Sequence, residues 1–534
     1  MRKRILRGST LLAAALCLAL SAVAQPKFEV SFPASAHAGP ITGRVYVIIT
    51  RRETPAPMQQ IASGITQTPF FAVDVDQLAP GRAATVDASA AGYPLNSLKD
   101  VPAGDYFVQA LINVYTQFHR SDGHTIWAHN DQWEGQQFWR SPGNIHSEIR
   151  KVHFDSAADI KLELTDVIPP IQPPADTAWV KHIKIQSAML TKFWGQPIYL
   201  GAVVLLPKGY DEHPDQRYPT IYYEGHFSTS PVFGFSDRAP GAGGGRGQAG
   251  YQFYQDWNSD NFPRVLAVTL QHPTPYYDDS YAVNSANNGP YGDALLKEMI
   301  PYIEDHFRMI REPRARTLTG GSTGGWEALA VEVQHPDFFG GTWPLFPDPV
   351  DFRRDQLVNI YQDDNAFQAP GFEWLAPERP MYRTPEGQVI QTMRQLAQLE
   401  ETLGSHGRSG QQFEAWESVY SPVGEDGYPQ PLFDKRTGKI DKEVVKYMHD
   451  NGYDLSAYLQ DNWARVGPQL KNKIHVYIGE MDSYYLNLAV YQLESFLKTT
   501  DANATFEYGR PLKGHGWQPM TNSELVKMMA ATMQ

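Results

Sequence analysis

One cysteine, Cys17, stands among 534 residues. It falls inside an N-terminal stretch laid out like a cleaved export signal, so the mature chain would hold no thiol. That excludes disulfides, cysteine-ligated metals and cysteine nucleophiles. Lipidation of Cys17 is not expected, because Leu16 is bulky where a lipoprotein signal places a small residue. Basic blocks are missing too: net charge is −13, from 46 basic and 59 acidic residues, and no Lys/Arg run follows the N-terminal head. Such a chain carries no electrostatic footprint for nucleic acid or an anionic membrane. Long apolar runs are absent as well. The one from Leu11 to Leu20 is too short for a hydrocarbon core that needs about 20 apolar residues. No internal repeat is found. The glycine-dense stretch Arg238 to Gly250 lacks the Gly-Lys-Ser/Thr ending of a phosphate-binding loop and reads as a surface loop.

What is present suits a large globular protein. Apolar residues make up 42% and aromatics 12%, ample for a substantial core and incompatible with a disordered chain. The length suggests two domains. The head Met1-Arg-Lys-Arg4, the short apolar run and the Ser21-Ala-Val-Ala24 end predict an export signal over 1–24, cleaved after Ala24. The mature protein is then secreted or periplasmic, without membrane contact.

Residues 25–165 show short β-prone runs, such as Gly43 to Thr50 and Tyr106 to Tyr115, between Gly, Pro, Asp and Asn clusters, and no helical period. This predicts an all-β, sandwich-like domain. Val167-Ile-Pro-Pro-Ile-Gln-Pro-Pro-Ala175 follows, whose prolines favour extended backbone; 166–178 is read as a stiff linker. From 179 to 534, strand-like runs (198–206, 220–223, 265–269, 317–319, 474–478, 505–508) alternate with helix-like stretches (292–307, 326–333, 486–497). That alternation predicts a mainly parallel sheet flanked by helices, with its site at the carboxyl ends of the strands. A long segment, about 348–471, interrupts it and is expected to form a helical cap.

The chemistry concentrates in Arg316 to Ala330: a short strand, a glycine-dense turn and an apolar helix. Gly320-Gly321-Ser322-Thr323-Gly324 fits G-x-S-x-G, the turn that lifts a serine onto a strained corner where strand and helix nearly touch. Ser322 is the candidate nucleophile, and the Thr323 N–H at the helix start a candidate oxyanion donor. A serine hydroxyl needs a base, and the base an orienting acid, in the chain order Ser, Asp or Glu, His. The strand Lys473 to Ile478 runs into Gly479-Glu480-Met481-Asp482, and the last strand-like run is followed by Gly514-His515-Gly516. His515 is the expected base. Asp482 is the preferred acid and Glu480 the alternative, since the strand must end before the acid turns inward. A second oxyanion donor is expected from the backbone of His226 or Phe227, after Gly225. Loop side chains around Glu224, Tyr291 and Trp326 are candidates to line the substrate.

On these pieces, together with Asn287 to Phe307, the segment 179–534 resembles the esterase D family of α/β hydrolases, which includes feruloyl esterases, enterochelin esterases and mycolyltransferases. The resemblance implies an α/β-hydrolase fold and the triad Ser322, Asp482 and His515. Two features depart from the family pattern: Glu224-Gly225 stands where His-Gly is usual, and the long insertion is not general.

The expected activity is cleavage of carboxylic esters, small or carbohydrate-linked, through an acyl-enzyme. It requires no cofactor and no metal. Acyl transfer and peptidase action use the same triad. In a different class stands a non-catalytic polysaccharide-binding protein, whose aromatic stretch Trp127 to Trp139 would stack on sugars or else pack in a β core. Oligomeric state, cap movement and the natural ester are not encoded in these patterns.

Overall fold

The computed structural model describes residues 25–533 apart from 62–64, 136, 227, 242–246, 278 and 372–373. The expected export signal, 1–24, and Phe227 lie outside the described residues.

Eight strands form the central sheet of the second half: β1 (Val180–Gln186), β2 (Tyr199–Leu205), β3 (Thr220–Glu224), β4 (Leu266–Gln271), β5 (Arg316–Gly321), β6 (Thr342–Leu345), β7 (His475–Gly479) and β8 (Thr505–Gly509). Their order is β1-β2-β4-β3-β5-β6-β7-β8. β1 and β2 pair antiparallel, as do β2 and β4, and every later pairing is parallel. This is the α/β-hydrolase arrangement. The inner strands read as continuous apolar runs because helices cover both faces; β4 is buried along its whole length. Parallel order puts the carboxyl ends of β3, β5, β6, β7 and β8 on one edge.

Before the linker, strands from Lys27–Ser31 to Asp159–Val167 build a second, mostly antiparallel sheet. Its strand Ile41–Thr50 explains its own burial. Val45, Val47 and Ile49 point into a core with Phe28, Val108 and Ile112. Tyr46 and Ile48, on the opposite face by strand alternation, join a different core that contains Trp326, Leu329, Leu396 and Leu399. The sheet is therefore buried on both sides, and one of its faces belongs to the hydrolase half. Residues 168–177 pass between the two halves without regular structure.

The segment between β6 and β7 fills the space between the sheets. It holds a hairpin (Pro380–Arg383 with Val389–Thr392) and helices Met393–Leu403, Gln412–Tyr420, Lys442–Asp450 and Leu455–Val466. Met393–Leu403 starts on a capping box formed by Thr392 and Gln395, which satisfies donors that an uncapped helix start leaves open. It lies along the first sheet: Arg44 Nε donates to Thr402 O at 3.0 Å and Gln398 Nε2 to Gly92 O at 2.7 Å.

The aromatic stretch Trp127 to Trp139 sits in the seam between the halves. Lys184 Nζ, from β1, lies 4.0 Å above the Trp133 ring. The Phe138 ring stacks on Tyr46 with centroids 5.0 Å apart, and His129 stacks on Tyr277 at 3.9 Å.

Candidate active site

Ser322 sits between the end of β5 and the helix Thr323–Gln334, with φ 58° and ψ −117°. A non-glycine residue is held there only by its surroundings, at a cost of about 1–3 kcal/mol. Glycines on either side make the turn possible. A Cβ on Gly324 would stand 2.1 Å from Glu224 O, and one on Gly320 2.4 Å from Gly324 O. Strand β3 and the helix start are thus in backbone contact. The helical bonds begin with Gly325 N–H to Ser322 O at 2.9 Å, so the Thr323 N–H precedes the ladder.

Two loops bring the other expected groups to the same edge. Asp482, fully buried, follows β7; its Oδ1 accepts from the Tyr484 N–H at 2.9 Å and the Leu486 N–H at 3.3 Å. Its Oδ2 lies 2.8 Å from His515 Nδ1, so the acid engages that nitrogen and not Nε2. The His515 ring is held edge-on by Phe346 and Tyr484, each with centroids 4.9 Å away. Met481 N–H donates to Lys513 O at 3.0 Å, tying the acid loop to the histidine loop.

The geometry corrects several expectations. Glu480 turns away from His515: Arg510 Nε lies 3.1 Å from its Oε2 and the Leu512 N–H donates to its Oε1 at 3.3 Å. It is one strand step nearer the sheet, where the side chain still points across the strand edge. Glu224, Tyr291 and Trp326 are buried and line no open site. Glu224 Oε2 meets His272 Nε2 at 3.2 Å beneath the turn, and Tyr291 OH donates to Pro273 O at 2.6 Å. Trp326 packs on Tyr281 and Tyr420. All three face the core. His226 is exposed and engages through its ring, with Nε2 3.1 Å from Thr323 Oγ1.

One central residue was not anticipated. Asp348, three residues past β6 and 2% exposed, presents Oδ1 to the Ser322 hydroxyl, which donates to it at 3.3 Å. Around Oδ2 stand four donors: Thr323 Oγ1 (3.1 Å), Tyr281 OH (3.1 Å), Gln412 Nε2 (3.0 Å) and Trp416 Nε1 (3.1 Å). Burial pushes its carboxyl above the usual range, while the Trp416 hydrogen bond and the charges of His226 and His515 pull it back. An acid just past the carboxyl end of a strand, as Asp482 also is, was the available signal.

Among the described residues, two His/Asp/Glu groups have ligand atoms within 4.8 Å of one another: His129, Asp131 and Glu134 in the seam, and Glu224, His272 and Glu327 beneath the Ser322 turn. Each includes a histidine already turned to a carboxylate, on Glu134 and on Glu224.

A serine at a strained strand-to-helix corner thus shares a sheet edge with a carboxylate-bound histidine on the last loop, in a sheet of α/β-hydrolase strand order. Residues 199–343 match the family model described as Putative esterase. Solved structures similar to the chain include a ferulic acid esterase (13% identity, 67% of this chain and 100% of that chain, TM-score 0.40). Others are an S-formylglutathione hydrolase from Agrobacterium tumefaciens (12%, 67% and 98%, 0.36) and the fluorophosphonate-binding serine hydrolase FphF of Staphylococcus aureus (13%, 66% and 98%, 0.34). Among curated proteins, none matches the chain.

Proposed function

We propose that the protein is a serine carboxylic-ester hydrolase working through an acyl-enzyme, with Ser322 as nucleophile, His515 as base and Asp482 as the acid that orients it. The observations that carry this reading are Ser322 on its strained corner and, on the same sheet edge, a His515 whose Nδ1 is fixed 2.8 Å from Asp482. In this resting arrangement the Ser322 hydroxyl points to Asp348. A turn about χ1 between staggered positions hands it to His515 Nε2. Ser322 Oγ then bonds the ester carbonyl carbon while its proton passes to Nε2. The carbonyl oxygen, now negative, meets the Thr323 N–H and an N–H of the His226 and Phe227 loop. Collapse breaks the ester C–O bond, and His515 returns the proton to the leaving alcohol. Water, deprotonated by His515, releases the acid and restores Ser322.

The substrates we assign are small or carbohydrate-linked esters, met outside the cytoplasm after export and cleavage at Ala24. The sheet of residues 25–165 acts as a β-sandwich-like buttress for the insertion. Turnover of p-nitrophenyl acetate and butyrate by the mature protein and by Ser322→Ala tests the reading, with a fluorophosphonate label as second readout. Wild type should turn over and label, and the variant should lose at least about 10³-fold in kcat and all labelling. Equal activity in the two proteins, or inert behaviour of both, sinks it.

A further inference from the structure

Asp348 has a role that the triad does not supply. Its Oδ2 is surrounded by four protein donors, whereas Oδ1 takes the Ser322 hydroxyl. The catalytic cycle removes that partner. Once Ser322 gives its proton to His515 and its oxygen is esterified, it has no hydrogen left to donate, and it stays so until deacylation. During that whole interval Oδ1 faces the reacting carbon as a buried acceptor without a donor. A buried carboxylate oxygen in that state is costly, and it lies beside the developing oxyanion, which it repels. A donor carried by the substrate resolves both problems. It must survive departure of the alcohol, so it belongs to the acyl group. It must also stand close to Oγ, so it sits on the carbon next to the carbonyl.

Resting on the serine-hydrolase reading above, we propose that Asp348 is the residue that selects acyl groups bearing a hydroxyl or ammonium donor on the carbon next to the scissile carbonyl. The donor takes over Oδ1 as Ser322 leaves it. Gln412 and Trp416, from the insertion, fix the carboxylate for this purpose, which gives the long insertion a part in substrate choice. Discrimination of this kind is strong, because a site built for a donor is left with an unmatched polar group when the substrate lacks one.

The test compares phenyl propanoate, phenyl lactate and phenyl alaninate, with each kcat/KM divided by the ester's own uncatalysed hydroxide rate. Wild type should favour lactate or alaninate over propanoate by at least about tenfold, and Asp348→Asn should bring the ratio within about threefold. Which of the two donor esters leads tells hydroxyl from ammonium: an ion pair makes the alaninate preference the more sensitive to the Asn substitution. A wild-type ratio within about threefold overturns the proposal, as does an Asp348→Asn protein that keeps the wild-type ratio. If the variant does not fold, the wild-type ratio decides alone. Failure of all three esters with fluorophosphonate labelling of Ser322 intact removes the proposal and spares the hydrolase reading; loss of labelling as well removes both.

Discussion

The loops after β6 and β7 each bury an aspartate at the same serine and histidine, and they hold it by different means. Asp482 takes two backbone N–H groups from within four residues and one ring nitrogen from the last loop. Asp348 takes side-chain donors from residues 281, 323, 412 and 416, spread over three stretches of the chain. A carboxylate held by its own turn is fixed as soon as that turn forms. One held by distant side chains is fixed only when the insertion has docked. The first suits a group whose geometry must never vary; the second suits a group open to change as the insertion diverges.

The largest effect should separate the two acids of the β7 loop. Asp482→Asn is expected to lower kcat on p-nitrophenyl butyrate by about 10³ to 10⁴, through loss of the histidine's orientation. Glu480→Gln, which touches Arg510 and not His515, should stay within about threefold of wild type. Equal losses in the two variants would erase the distinction drawn here. A smaller effect tests the β6 loop: Trp416→Phe removes one charge-assisted bond from Asp348 and should cost about 1–2 kcal/mol in urea unfolding, with a loosened ester preference. The smallest concerns Asp355, on the same loop. Burial, reinforced by the Asp348, Glu417 and Asp454 carboxylates, pushes its carboxyl up to about 7. The folded state thus binds this proton more tightly than the unfolded chain does. Its contribution to stability is complete below about pH 4 and is lost as pH climbs through about 7. Asp355→Asn should flatten that decline between about pH 4 and 8 in urea melts. A variant whose pH profile matches wild type would show that Asp355 titrates like an ordinary surface acid.

What could be read from the chain follows the same division. The Ser322 corner is a local motif in the sequence, although the glycines at 320, 324 and 325 are demanded by close backbone contacts with Gly324, Glu224 and Leu345, and Gly321 by the Phe346 ring. Asp482 and His515 were legible because a strand end and a closing loop mark their places. Asp348 also ends a strand, but its importance rests on Tyr281, Gln412 and Trp416, whose approach no spacing rule encodes. Glu224, Tyr291 and Trp326 misled for a related reason. Standing at a strand end, as Glu224 does, or in the first turn of a helix, as Tyr291 and Trp326 do, says nothing about which face looks inward. The alternating burial of Val45 and Tyr46 was written in the sequence as an apolar run, yet the run alone does not say that two different cores claim its two faces.

Those two faces bear on how this protein can be cut. An enzyme with a detachable accessory module survives trimming at its linker, because the scar is polar. Here excision at the proline-rich stretch would strip Tyr46, Ile48, Phe70 and Leu111 from the cluster they share with Trp326 and Leu399. The truncated hydrolase half would keep every catalytic group and carry an open greasy wound over its insertion. The first sheet is a wall of the folded protein, not an appendage.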